Sequence, residues 1–236
     1  MAACVIVFVK NPVPGQVKTR LTPHLSPEQA ASLYEAFLVD WCNALSTIST
    51  AHRVIAYTPP EGLSALQTLI GEDPVYIPQA GASLGERLIA AARWACDQGY
   101  TKFLFVGSDS PTLPIQYVER ALDLLESRDI VIGPSVDGGY YLIGFSKYGA
   151  SLSIPTIFEG IAWSTEVVFR QTLGKIQEIN AQLGLLPPWY DVDTPTGLQL
   201  LQDHLFGMDL AGESSPALQT VSKLTEWFWI TRTREL

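Results

Sequence analysis

The sequence predicts an α/β domain whose mostly parallel central sheet carries helices on both faces. Two observations carry this reading. Short unbroken runs of β-branched and aromatic residues recur along the chain, as suits strands buried on both faces. Between them lie segments with apolar residues at helical spacing, so that strand and helix alternate through the first half of the chain. At 236 residues, 47% hydrophobic and 17% charged, the chain has enough apolar material for one large folded domain, which excludes wholesale disorder.

The first strand is expected over 4–9, Cys-Val-Ile-Val-Phe-Val. A loop rich in Pro and Gly follows, Asn11 to Gly15, and then the basic stretch Lys18-Thr19-Arg20. Ser26-Pro27-Glu28-Gln29 reads as a capping box with Pro at the first helical position. Ala30, Leu33, Tyr34, Phe37, Leu38, Trp41 and Leu45 continue from it as one long amphipathic helix. Further strands are expected over 54–57, 75–77, 103–106 and 130–132, and helices over 63–70, 84–97 and 115–126. The strand at 103–106 is apolar throughout and therefore central. After Gly133 the rhythm changes, to a strand over 140–145 and helices over 165–173 and 196–204. Residues 208–215 read as a polar loop. Trp227, Phe228 and Trp229 are expected to pack onto the domain or at a homodimer interface.

Charge narrows the function. The chain has 15 Lys and Arg against 24 Asp and Glu, a net charge of −9, so it lacks the cationic footprint of a nucleic-acid or acidic-membrane binder. Any phosphate must be met by a local cluster of donors or by a metal. Cys4, Cys42 and Cys96 match no zinc or disulfide pattern and read as small buried hydrophobes. No basic leader opens the sequence and no apolar run is long enough for a membrane span, so a soluble cytoplasmic protein is expected. His24, His52 and His204 fit no pair spacing.

Four motifs could carry chemistry. The loop Lys10–Leu21 follows the first strand, at the carboxyl edge where α/β sheets bind ligands. Gly15 would let its backbone approach a phosphate that Lys18 and Arg20 meet, or the loop is simply solvated. As exposed charges, the two cations would contribute little to stability. Asp109 leaves the buried central strand in Ser108-Asp109-Ser110-Pro111, too early to cap the helix at Ile115. That leaves its carboxylate free for a hard divalent cation. Asp137-Gly138-Gly139 is a hairpin signal whose glycines could also admit a sugar or phosphate. In Asp191-Val192-Asp193 two carboxylates at i and i+2 of an extended segment point the same way, and Asp193 could also cap the helix near Pro195. Between these, Gln79–Arg87 is a glycine-bearing turn into a helix, with Glu86 and Arg87 readable as a solvated first turn. Trp163 reads equally as a stacking platform or as core.

Together these motifs resemble the bacterial glycosyltransferase-like family known as domain of unknown function 2064, in the nucleotide-diphospho-sugar transferase superfamily with the GT-A fold. The resemblance runs from about Val5 to His204. It rests on Phe8–Leu21, Gln79–Leu88, Gly107–Pro114, Asp137–Gly144 and Asp191–Pro195. It implies a single GT-A domain over 1–207, with 208–236 as an extension packing on the domain or on a partner subunit. It implies a transferase using Mg or Mn held by Asp109 and Asp193, acting on a nucleotide-activated small-molecule donor and an unidentified small-molecule acceptor. Lys18, Asp109 and Asp137 would be catalytic. Gly15, Lys18, Arg20, Gln79, Gly81, Gly85 and Ser108 would bind nucleotide and phosphate. Gly138, Gly139, Trp163 and Glu166 would face the sugar or acceptor. More distantly, Lys18–Leu21 and Asp191–Pro195 are similar to motifs of 2-phospholactate guanylyltransferases, which makes nucleotidyl transfer with release of pyrophosphate the alternative. Ser108-Asp109-Ser110, with one carboxylate where Asp-x-Asp has two, is closer to that pattern. A nucleotide-binding regulatory protein without catalysis is the third reading.

Overall fold

The computed structural model describes residues 2–22, 24–146, 154 and 156–228. Its elements run β1 (Ala3–Lys10), α1 (Pro27–Leu45), β2 (His52–Thr58), α2 (Leu63–Ile70), β3 (Val75–Pro78), α3 (Leu84–Asp97) and β4 (Lys102–Gly107). They continue with α4 (Ile115–Leu124), β5 (Ile130–Pro134), β6 (Tyr140–Ser146), α5 (Val168–Glu178), β7 (Leu183–Leu185), α6 (Pro195–Ala211) and α7 (Leu218–Phe228). The strands form one sheet in the order β3-β2-β1-β4-β6-β5-β7. Only β6 runs against its neighbours, so the sheet is mostly parallel and β4 lies at its centre.

Both faces of the sheet are covered, and β1 shows why its sequence has no polar alternation. Val5, Val7 and Val9 join one core with Leu33, Phe37 and Trp41 of α1 and the inner faces of α4 and α6. Cys4 and Ile6 turn to a second core with Leu88, Ala91, Ala92 and Ala95 of α3. β4 divides likewise, Leu104 and Val106 to the first core and Phe103 and Phe105 to the second. Strands of such a sheet must be apolar at every position. α1 starts at the expected capping box, Ser26 accepting from Gln29 N and Gln29 reaching back to Ser26 N. A second box, Ser83 with Glu86, starts α3, so Glu86 caps rather than decorating a solvated turn.

Several expectations are corrected. The helix expected from 165 begins at Val168, because Ser164 sits in the left-handed region at φ 64° and Thr165 Oγ1 donates to Ala162 O, holding a turn there. α6 continues to Ala211, where Gly212 ends it at φ 72°, so 208–211 is helix and the expected boundary after 207 falls inside it. The short strand β7 and the helix α7 were not expected. Cys4 and Cys42 are buried but Cys96 is exposed, since Ala95 takes the inward position and the next residue of a helix points about 100° away. Burial pushes the Cys4 thiol up to about 12 and the Cys42 thiol to about 11, which removes both as nucleophiles at neutral pH. Among the described residues no helix is long and apolar enough to cross a membrane.

α7 is docked by a buried charge. Asp40 of α1, 3% exposed, accepts from Gln219 N at 2.9 Å, Thr220 N at 2.8 Å and Thr220 Oγ1 at 2.7 Å. It therefore caps α7 from another helix, satisfying amides that a helix start leaves orphaned. Trp227 packs against the first core, while Trp229 lies outside the described residues. Asp40→Ala is expected to destabilise the protein by about 2–3 kcal/mol, the range for losing charged hydrogen bonds at a buried donor set. The midpoint of urea unfolding checks this. Asp40→Asn, which keeps an acceptor, should lose less.

Candidate active site

The cleft opens at the carboxyl ends of β1 and β4, beside Gln79 just past β3, with a volume of about 880 Å³. Its centre is an ammonium between two carboxylates. Lys18 Nζ lies 2.5 Å from Asp109 Oδ1, 2.6 Å from Asp193 Oδ1 and 2.9 Å from Val192 O. Its side chain is 3% exposed, against 39% and 40% for the two aspartates. The rings of Tyr34 and Phe37 flank it, with centroids 5.5 and 5.3 Å from Nζ. Burial alone would push the Lys18 pKa down, but Asp109 and Asp193 outweigh it and hold the group above the ordinary lysine value, so it stays charged.

Each partner is brought here by a specific piece of backbone. Lys18 has left-handed geometry at φ 49° and caps a 3-10 turn, Thr19–Leu21, which aims its side chain beneath the loop. Asp109 leaves β4 and its carbonyl accepts from Val192 N at 2.9 Å. That bond pins the 191–193 segment to the central strand. Val192 is fully buried, so Asp191 and Asp193 face the cleft together, as alternation in an extended segment requires. The cap of α6 is Thr194, which accepts from Gly197 N, and Asp193 is left to Lys18. A Cβ on Gly197 would come within 2.8 Å of Asp191 O, so the helix can approach this closely only with glycine there. The cap position of α4 is Pro114, so Asp109 does not serve that helix.

Asp191 was assigned no role in the sequence, although its spacing from Asp193 signalled its direction. Ser135 Oγ donates to its Oδ1 at 3.2 Å. Burial, then the charges of Asp137 and Asp193, push its carboxyl up to about 6. The cleft thus gathers more negative charge than Lys18 offsets. Tyr34 also lines it, though the sequence placed it only on the apolar face of a helix, as do Lys10 and Arg87, which lie in two of the motifs without an assigned role.

Of the expected site residues, Lys18, Arg20, Gln79, Ser108, Asp109, Asp137, Gly139, Trp163, Glu166 and Asp193 line the cleft. Gly15, Gly81, Gly85 and Gly138 are not among its lining residues, and Gly15 and Gly81 are exposed. Gly138, at φ 91°, is where a Cβ would come within 2.2 Å of Glu166 O, so it packs two loops together rather than offering a ligand its backbone. Ser108 is 2% exposed and its hydroxyl works inward, donating to Phe8 O while bonding Tyr34 OH at 2.7 Å. It braces the exit of β4. The Gln79 amide donates to Val9 O and Ala56 O and accepts from Arg87 Nη1, while Arg87 Nε donates to Gly81 O. Arg87 is therefore a positioned cation, not a solvated one.

The chain resembles proteins of one superfamily. A solved structure from Desulfovibrio desulfuricans G20, provisionally described as a nucleotide-diphospho-sugar transferase, is 34% identical, with a TM-score of 0.87 and full coverage of both chains. The fold is therefore of the GT-A, nucleotide-diphospho-sugar transferase kind. A 3-phospho-D-glycerate guanylyltransferase of Phenylobacterium zucineum is 35% identical over 130 residues, 53% of this chain and 59% of that protein. A 2-phospho-L-lactate guanylyltransferase of Methanobrevibacter ruminantium is 27% identical over 164 residues, 65% of this chain and 67% of that protein. The first match thus spans less than two thirds of its curated relative. The model of the family described as an uncharacterized protein conserved in bacteria, DUF2064, matches residues 41–165, more than half of the chain, and the chain belongs to that family.

Proposed function

We propose that the protein is a metal-assisted nucleotidyltransferase, joining a nucleoside monophosphate to a small phosphorylated acceptor with release of pyrophosphate. The observation that carries this is the convergence of Asp109 and Asp193 on the buried ammonium of Lys18. The curated relatives named above are guanylyltransferases, which favours this reading over glycosyl transfer, as does the single carboxylate at Ser108-Asp109-Ser110.

The donor set suits Mg or Mn. Asp109 and Asp193 share one nitrogen, so their nearest oxygens are separated by no more than the sum of two short contacts. That is well inside the roughly 8 Å beyond which one ion could not serve both. Among the described residues no three acidic, His or Cys side chains are gathered as an ion cage. Magnesium does not need one, because it is commonly held by one or two carboxylates plus substrate phosphates. Bound by Asp109 and Asp193, the ion would neutralise triphosphate charge and act as a Lewis acid at phosphorus.

The chain's own groups supply the rest. Lys18 is a fixed point charge at the inner end of the cleft, where charge develops on the attacked phosphoryl group. Arg20 and Arg87 add positive charge along the wall next to it. Gln79, held by two strand carbonyls, keeps Arg87 in place. In a thermal-shift screen, GTP or another nucleoside triphosphate with Mg²⁺ is expected to raise the melting temperature. At a hundredfold excess over Kd the stabilisation is about 2.7 kcal/mol. No shift with any triphosphate, with or without Mg²⁺ or Mn²⁺, would overturn the reading.

A further inference from the structure

Lys18, as it stands, has no hydrogen-bond donor left for a ligand. An ammonium carries three N–H groups. Here one donates to Asp109 Oδ1 at 2.5 Å, one to Asp193 Oδ1 at 2.6 Å and one to Val192 O at 2.9 Å. The two carboxylates are also the pair that would hold a divalent ion. The cation between them is the protein's own.

The position is built for that cation. Nζ lies 5.5 Å from the ring centroid of Tyr34 and 5.3 Å from that of Phe37, and ring faces attract positive charge. Both rings are fixed. Phe37 is fully buried, and the Tyr34 hydroxyl accepts from Lys10 N at 3.2 Å while bonding Ser108 Oγ at 2.7 Å. The Lys18 side chain is 3% exposed and its partners are about two-fifths exposed, so the ammonium lies deeper than the carboxylates it joins. The backbone of Lys18 takes the left-handed region at φ 49°, which is uncommon for a residue with a Cβ, to deliver the side chain there.

We infer that Lys18 keeps a bare divalent ion off Asp109 and Asp193, so that the ion enters only together with a triphosphate. The inference rests on the nucleotidyl-transfer reading. An ion bonded to Oδ1 of either aspartate needs the oxygen that Lys18 occupies. An ion bonded to the outer oxygen instead lies within a few ångströms of the ammonium, and the two like charges repel. A triphosphate removes the conflict. Its oxygens accept the donors that Lys18 withdraws from the carboxylates, and its negative charge offsets both cations. Val192 O and the two rings hold Nζ in place while those donors change partners. Lys18 is thus a specificity-determining residue, selecting the metal–triphosphate complex over either component alone. By linkage, the ion tightens nucleotide binding by the factor by which the nucleotide tightens binding of the ion.

The test measures binding of Mn²⁺ alone to the full chain by electron paramagnetic resonance, which counts the free aqueous ion. Equilibrium dialysis gives the binding of GTP with and without Mn²⁺. Wild type is expected to bind bare Mn²⁺ no better than Asp109→Asn does, and to bind GTP about tenfold or more tightly with Mn²⁺ than without. Lys18→Met is neutral and of similar length. It should bind bare Mn²⁺ about tenfold or more tightly than wild type, and GTP with Mn²⁺ about tenfold or more weakly. Lost packing does not shift two ligands in opposite directions. Lys18→Arg keeps the charge and should exclude bare Mn²⁺ as wild type does. The inference is overturned if wild type binds bare Mn²⁺ about tenfold or more tightly than Asp109→Asn, a comparison that stands even where Lys18→Met does not fold. It is overturned equally if a folded Lys18→Met binds bare Mn²⁺ no better than wild type. Either result with GTP still bound sinks this inference alone. Absence of binding by any nucleoside triphosphate sinks the nucleotidyl-transfer reading and this inference with it.

Discussion

Asp109→Asn is expected to fold like the wild type and to lose about a hundred- to a thousandfold in turnover, on the order of 3–4 kcal/mol of transition-state stabilisation. The change keeps the side chain's shape, and the amide oxygen can still accept from Lys18. What goes is the negative charge at the end of the central strand. Lys18 offsets only one of the two carboxylates it meets, so the pair would repel the phosphates it faces, and a bound cation would reverse that sign. The variant should therefore also need more Mg²⁺ to reach half of its residual rate. Assays of pyrophosphate release across a Mg²⁺ series measure both effects. Activity within a few fold of wild type, at the same Mg²⁺ dependence, would make Asp109 a turn residue and put the metal site elsewhere.

Lys18→Ala has the second large effect, and it reaches stability as well as binding. Read from the sequence, Lys18 was an exposed loop charge with little to contribute. The structure corrects this, since its side chain is 3% exposed and meets three acceptors. Removing one partner of a buried ion pair costs about 3–5 kcal/mol. Asp109 and Asp193 are each about two-fifths exposed, so water screens the charges left behind, and about 1–3 kcal/mol is the expected loss. For a chain of this size that lowers the melting temperature by roughly 2–12 °C. Nucleotide affinity in Mg²⁺ should fall at least tenfold. Arg20→Ala is the control, because Arg20 is exposed on the cleft wall. It should weaken nucleotide binding while leaving the melting temperature nearly unchanged. A Lys18→Ala protein as stable as wild type would mean that Lys18 does not hold the two aspartates.

What was legible in the sequence follows the range of the interactions concerned. The capping box at Ser26, the apolar runs of β1 and β4 and the helices at Leu63–Ile70 and Leu84–Asp97 are written in neighbouring residues, and the structure has them there. The pairing of Asp191 with Asp193 on one side was readable from their spacing. The burial of Lys18 was not, because its acceptors belong to Asp109, Val192 and Asp193, far along the chain, and its left-handed backbone has no signature in a non-glycine residue. Asp40 is a comparable case. A lone aspartate in an apolar helix is explained only by the amides of Gln219 and Thr220 in a helix that the sequence did not announce. Ser108 was expected to meet phosphate, but Tyr34 and Phe8, both distant in sequence, claim its hydroxyl. The glycines of the expected site were read as places where a ligand meets the backbone. For Gly81, Gly85 and Gly138 the close neighbour is the protein itself.

Product identity tests the central claim most directly. The full chain is incubated with Mg²⁺ and GTP, with sugar phosphates and phosphorylated carboxylates as acceptors, and the phosphorus species are followed by ³¹P NMR. Nucleotidyl transfer predicts one pyrophosphate for each nucleotide joined to acceptor, with the formation of both slowed about a hundred- to a thousandfold in Asp109→Asn. In a parallel sample the donors are nucleotide-sugars. Free nucleoside diphosphate accumulating there, with no pyrophosphate formed from any triphosphate, would contradict the account and return the site to glycosyl transfer.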